Sequence, residues 1–336
     1  MNPRYRRLLI PGLLLALLVV VLVSSLVGRA EGATAEPVVV SHIDDPRIQE
    51  ASGLAISPDH EDLAYTINDS NNSPTVYAVQ ISTGSVVGTT TVSGGTLLDT
   101  EAIGIDGDGV LWIADTGDNR ERRTDAALYA IPEPGPGAHR TTARRYPITY
   151  ENGPANVEAL LIDPSTGAKS LVSKSLLGNG TVYALPRTLS DRSANRATVV
   201  NQEAPSLVTD GTTTADGRFA LLRSYTAAYV VDIATWRSVS SEQLPSQPQG
   251  ESIAIEQQGR SFLIGSEGER SALIRVPFTV PVATASTPLP TDEATEAPPQ
   301  QRTPRAGNGF AGATWFWAAG VMVLLVVVSV AATKRT

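Results

Sequence analysis

Four carboxylates recur in one local setting. Glu101, Glu158 and Glu251 each open a short apolar run: Glu101-Ala102-Ile103-Gly104-Ile105, Glu158-Ala159-Leu160-Leu161-Ile162 and Glu251-Ser252-Ile253-Ala254-Ile255. Asp210 opens a weaker copy, and Ser52 stands at the matching place in Ser52-Gly53-Leu54-Ala55-Ile56. A second polar set follows the next apolar run each time: Asn68, Asp115 with Asp118 and Asn119, Lys174, Arg223, and Glu267. Brought together, these groups could do three kinds of chemistry. They could hold a hard cation, since calcium takes six to eight oxygen ligands. Glu101, Glu158 and Glu251 would then be its core, and the lack of histidine among them disfavours zinc and copper. They could pair with Lys174, Arg223 and Arg120 and only hold structure together. Or paired carboxylates could hydrolyse a glycoside, a phosphoester or a lactone.

Other chemistries are excluded more firmly. The chain has no cysteine, so disulfides, thiolate metal sites and cysteine nucleophiles are absent. Its three histidines, His42, His60 and His139, are scattered, which argues against a Ser-His-Asp triad. There is no GxSxG elbow and no GxxxxGK phosphate loop. A formal charge of -8 and no basic stripe argue against nucleic acid. Aromatic residues make up 5% of the chain, few for a sugar-binding platform. Asp106-Gly107-Asp108-Gly109 lacks the spacing of a calcium loop and is expected to be a hairpin turn.

The elements that position these residues repeat. Each opening run is followed by a turn and a second apolar run, as in Val110 to Ala114 after Asp106 to Gly109. A third strand then appears as Val76-Tyr77-Ala78-Val79, Leu128-Tyr129-Ala130-Ile131, Val182-Tyr183-Ala184-Leu185, Ala228-Tyr229-Val230-Val231 and Leu273-Ile274-Arg275-Val276. Its tyrosines sit at matching positions and are expected to pack between repeats. Fourth strands follow in four repeats. The fifth runs out of chain, and an unassigned strand at residues 38–43 is available to complete it. Four-stranded units recurring about every 50 residues predict an all-β chain, a β-propeller with five blades (six as the alternative) closed by its N-terminal strand. In such a fold the first strands begin, and the second strands end, on one face. The polar residues above would then ring one mouth of a central channel as an acidic crown.

With its repeated hairpins, Glu-Ala strand openings, Asp115-Thr116-Gly117-Asp118-Asn119-Arg120 and Gln249-Gly250-Glu251, the chain resembles bacterial extracellular β-propellers of the broad WD40-like and TolB-like group, over about residues 37 to 280. No repeat carries the Gly-His and Trp-Asp signature. The resemblance implies a fold more than an activity. Five-bladed propellers include glycosidases and calcium-dependent nucleotidases.

The two ends suggest placement. Residues 1–35 have a basic start with Arg4, Arg6 and Arg7, an apolar stretch and an Ala33-Thr34-Ala35 site, the pattern of a signal peptide or an N-terminal anchor. Residues 36–281 form the propeller. Residues 282–309, rich in Pro and Thr, read as a disordered stalk. Residues 310–333 read as one transmembrane helix, with Trp315 and Trp317 at its start, and 334–336 as a cytoplasmic tail. The expectation is therefore a single-pass protein of a bacterial cell membrane with an extracytoplasmic propeller. It would recognise or scaffold an envelope protein or small molecule through the crown, with Ca2+ as the candidate cofactor. The alternative is a tethered hydrolase using the same carboxylates.

Overall fold

The computed structural model describes residues 35–69 and 72–279, and all regular structure among them is β-strand. Among these residues no helix is long and apolar enough to cross a membrane. The expected signal or anchor up to residue 34, the whole stalk, the membrane helix and the tail lie outside the described residues.

The chain begins with β1 (Val38–Ile43) and then makes five successive meanders. The first is β2 (Ala51–Ile56), β3 (Leu63–Asn68), β4 (Thr75–Gln80) and β5 (Val86–Ser93). The second is β6 (Thr100–Ile105), β7 (Val110–Asp115) and β8 (Ala127–Pro132), followed by β9 (Gly137–Thr142) and β10 (Arg144–Tyr150). The third comprises β11 (Val157–Ile162), β12 (Lys169–Ser173), β13 (Gly180–Ala184) and β14 (Asn195–Ala204). The fourth is β15 (Val208–Thr213), β16 (Phe219–Ser224), β17 (Ala227–Asp232) and β18 (Arg237–Gln243). The last is β19 (Ser252–Ile255), β20 (Ser261–Gly265) and β21 (Ser271–Pro277). Strand β1 pairs antiparallel with β21 and gives this last group its fourth strand.

By hydrogen bonding these make four sheets, because parallel pairing of β10 with β14 fuses the second and third meanders into one of eight strands. Strand β9 leaves its own group and adds in parallel to β5, making the first sheet five-stranded. Both additions cover strand edges that would otherwise offer unpaired backbone groups. The edge strand β18 is exposed along its whole length and is mostly polar, Arg-Ser-Val-Ser-Ser-Glu-Gln.

The apolar residues explain why the meanders stack. Alternation along each strand presents side chains to both sheet faces. Among the described residues there are five buried apolar clusters, each between two consecutive groups. Tyr65 and Ile67 meet Ile113 and Tyr129, and Leu128 and Trp112 meet Leu160 and Tyr183. Val172 and Leu161 meet Leu222 and Val231, and Leu221 meets Phe262 and Ile264. The last cluster joins Leu263 and Leu273 to Leu54 and Tyr77. First strands pack side by side in the order β2, β6, β11, β15, β19, and β19 returns to β2. Their far ends enclose a cavity of about 300 Å³, lined by Leu54, Ile103, Leu160, Thr212 and Ala254 among others. The arrangement is compatible with a β-propeller-like fold.

The repeated tyrosines do pack between groups, and three of them do more. Each donates its hydroxyl to the loop that leads into its own group: Tyr129 to the Thr96 carbonyl (3.1 Å), Tyr183 to Asn152 Oδ1 (2.9 Å) and Tyr77 to the Arg47 carbonyl (3.5 Å). The Asp106 turn is a hairpin turn, as expected. Asp106 Oδ1 accepts from the amides of Asp108 and Val110, and its other oxygen accepts from Trp112 Nε1 at 2.7 Å.

Candidate functional site

Strand register sets the site. The start of each first strand faces the end of the second: Ala51 opposite Asn68, Thr100 opposite Asp115, Val157 opposite Ser173, Val208 opposite Ser224. A bulge follows in all four pairs. In the second and third groups the extra residue is the glutamate. Thr100 pairs Asp115 and Ala102 pairs Ala114, leaving Glu101 between them, and Glu158 stands likewise between Val157 and Ala159. Bulges re-aim a side chain at the rim of a sheet, and here they deliver the carboxylates.

The same register departs from the expected alignment in the fourth group. Its bulge residue is Thr209, and Asp210 pairs Arg223 at the level of Ala102 and Ala159. Thr209 is therefore the hydroxyl counterpart of the glutamates, whereas Ser52 pairs Ile67 ahead of its bulge and stands at the level of Ala102. Both tie neighbouring groups: Thr209 Oγ1 donates to the Gly250 carbonyl (2.8 Å), and Ser52 Oγ to the Glu101 carbonyl (2.7 Å). Asp210 is buried and spends both oxygens on amides, those of Gly211 (2.7 Å) and Ile253 (2.8 Å). Burial pushes its carboxyl well above the usual range, and those two amides oppose the shift.

The polar residues ending the second strands hold loops. Asn68 Oδ1 accepts from the Glu50 amide, and its Nδ2 donates to the Arg47 carbonyl. Asp115 Oδ1 accepts from the amides of Leu98 and Asp99 and from Arg123 Nη2 at 3.0 Å. Burial raises the Asp115 carboxyl despite those donors. Asp118 Oδ2 accepts from the amides of Arg122 and Arg123, and its own amide donates to Asn156 Oδ1. Asn119 Oδ1 accepts from Asn156 Nδ2 at 3.4 Å.

What is left divides into two halves. In one, Glu158 accepts from Asn156 Nδ2 (2.7 Å) and from Lys174 Nζ (3.2 Å), and Glu251 accepts from Gln249 Nε2 (3.1 Å). Tyr225 lies beside this pair, and Lys174 Nζ stands 5.1 Å from its ring centre. Burial works against the Lys174 ammonium, but Glu158 and Glu251 outweigh it and hold its pKa above the ordinary lysine value. Burial raises the Glu158 and Glu251 carboxyls, and Lys174 lowers both. In the other half, Glu101 lies with Asp69 and Asp99, each giving one oxygen within 4.8 Å of the others. Burial and then the Glu158 charge raise Glu101 well above the usual carboxylate range. Sequence reasoning missed Asp99 and Gly117, although Asp99 stands two residues before Glu101 and Gly117 two after Asp115.

Glu267 sits between the halves. Burial, then the charges of Glu251, Asp69 and Glu50, push it to about 7. The folded state therefore binds its proton more tightly than the unfolded chain does. The stability Glu267 contributes is complete below the usual carboxylate pKa and is lost as pH rises through about 7. The full chain should melt at a lower temperature at pH 8 than at pH 5, and Glu267→Gln should flatten that slope. Parallel curves for the two proteins would refute the assignment.

The chain matches no protein-family model and no curated protein.

Proposed function

We propose that the protein is a five-bladed β-propeller held outside a bacterial membrane, and that it recognises an envelope partner through the crown face. The stacking of five first strands, with β19 returning to β2, supports the blade count. The basic-apolar start and the apolar end of the chain support the tethered placement. One observation carries the recognition reading: a loop of the crown face exposes large apolar side chains. Leu176 and Leu177 project from the β12–β13 loop, Leu177 at 94% exposure. Nearby elements leave a cleft of about 590 Å³ lined by Leu98, Asp99, Asp118, Asn119, Arg120, Arg122 and Arg123. Exposed apolar tips and a charged cleft suit a protein partner.

The test is affinity capture from envelope extracts. Leu177→Asp and Arg120→Glu should each lose the species that the natural chain retains, while Val239→Asp, on the outer strand β18, should keep it. Loss with Val239→Asp alone would place recognition elsewhere. Hydrolysis is the second reading, favoured by the Glu101 carboxyl, which burial and the Glu158 charge raise well above the usual range. It requires turnover of a phosphoester, lactone or glycoside that Glu101→Gln and Glu158→Gln abolish in a folded chain.

A further inference from the structure

We infer that Asp69, Asp99 and Glu101 form a seat for a single divalent cation of the calcium type, at the junction of the first two strand groups. The inference rests on reading the crown as the binding face, and it moves the expected ion away from Glu158 and Glu251.

The crown treats its buried carboxylates unequally. Glu158 has an amide and an ammonium, Glu251 an amide, Asp210 two backbone amides, and Asp115 two amides and a guanidinium. Glu101 is the exception. It is 5% exposed, and its carboxylate receives no hydrogen bond or ion pair among the described residues. Only its backbone carbonyl is engaged, by Ser52. Lys174, the cation that enters the crown, is bonded to Glu158. This acid converges with two others, and oxygens within 4.8 Å of one another suit ligands that each stand 2.3–2.6 Å from a shared calcium.

The walls of the seat are built. A Cβ on Gly117 would lie 2.1 Å from Glu101 Oε1 and 2.6 Å from Asp99 Cγ, so a glycine is needed for the carboxylates to meet there. The Gly117 amide donates to the Asp99 carbonyl at 3.1 Å, and the Asp69 amide to the Glu50 carbonyl at 2.8 Å. Asp115 fixes the Asp99 amide from below. The second strand's buried acid thus positions the loop that carries a ligand. Three carboxylates without histidine or cysteine select a hard cation, with water completing the shell. Affinity should be that of extracellular calcium modules, on the order of 0.1–1 mM.

Calorimetric titration of the full chain with calcium chloride tests this. One calcium per chain is expected. Asp99→Asn and Glu101→Gln should each weaken binding at least roughly tenfold, with circular dichroism confirming the fold. Gly117→Ala keeps all three acids and should lose the ion by filling the seat. Glu251→Gln, which removes the same charge from the other half, should stay within about threefold of the natural chain. A folded chain that binds no calcium up to about 10 mM overturns the proposal, as does loss in Glu251→Gln with retention in Asp99→Asn. Partner capture repeated in calcium and in chelator separates the two readings. Calcium bound without any captured species sinks recognition only, and capture by a chain that binds no calcium sinks the cation seat only.

Discussion

Arg223→Met is expected to cost about 3–5 kcal/mol, since it strands buried acceptors at about 1–3 kcal/mol each. Arg223 is fully buried. It leaves β16 and crosses to the last group, where Nη1 donates to the carbonyls of Ser252 (2.6 Å) and Gly265 (2.7 Å) and Nη2 to Gln247 Oε1 (2.7 Å). Gly250 makes room for it, since a Cβ there would lie 1.9 Å from Nη2. Burial lowers its pKa to about 10, so it stays charged at neutral pH. Methionine would leave two carbonyls unpaired and Asp210 without its nearby positive charge. At 2–4 °C per kcal/mol for a domain of this size, the melting temperature should fall by roughly 10 °C. Arg223→Lys should not restore it, because one ammonium cannot reproduce a planar fork serving separate acceptors. A fall of under about 2 °C would show that the crossing bonds hold little.

Lys174→Met should rank second, at about 3 kcal/mol near pH 8. The loss depends on pH, and its sign follows from the acids. Without the ammonium, Glu158 and Glu251 hold their protons to still higher pH. A carboxyl raised above its unfolded value contributes stability at low pH and loses it as pH climbs. The deficit of Lys174→Met should therefore shrink toward pH 5. Adding Glu158→Gln to Lys174→Met should recover part of the loss, and denaturant melts at pH 5 and 8 would measure the coupling. A deficit equal at both pH values would show that Lys174 contributes packing against Tyr225 and not charge.

The strands were legible because their signals are local. The Val-Tyr-Ala-Val type of third strand and the Asp-Gly turns are read from a few neighbouring residues, and the spare strand at Val38–Ile43 was the natural partner for a last group one strand short. Strand β9 was not legible. Gly-Ala-His-Arg-Thr-Thr has no apolar alternation, and it is a strand only because β5 offers it an edge. The crown was legible as a set of residue types and illegible as a set of roles. Thr209 and Asp210 are both polar neighbours, and only the bulge decides which of them stands level with Glu101. Asp115 and Glu101 are both buried acids, yet one is saturated by backbone amides and the other is not. That difference lies in loop geometry, which residue spacing does not encode.

The pairing of β1 with β21 also sets how the molecule answers to force. Val38 lies opposite Arg275 and Ile43 opposite Ser271, so the beginning of the first strand and the end of the last emerge side by side. Tension drawing residues 37 and 278 apart would peel this pair open one hydrogen bond at a time. It would not load all the bonds together, as pulling from opposite ends of a strand pair does. The seam that closes the structure therefore opens stepwise under such tension.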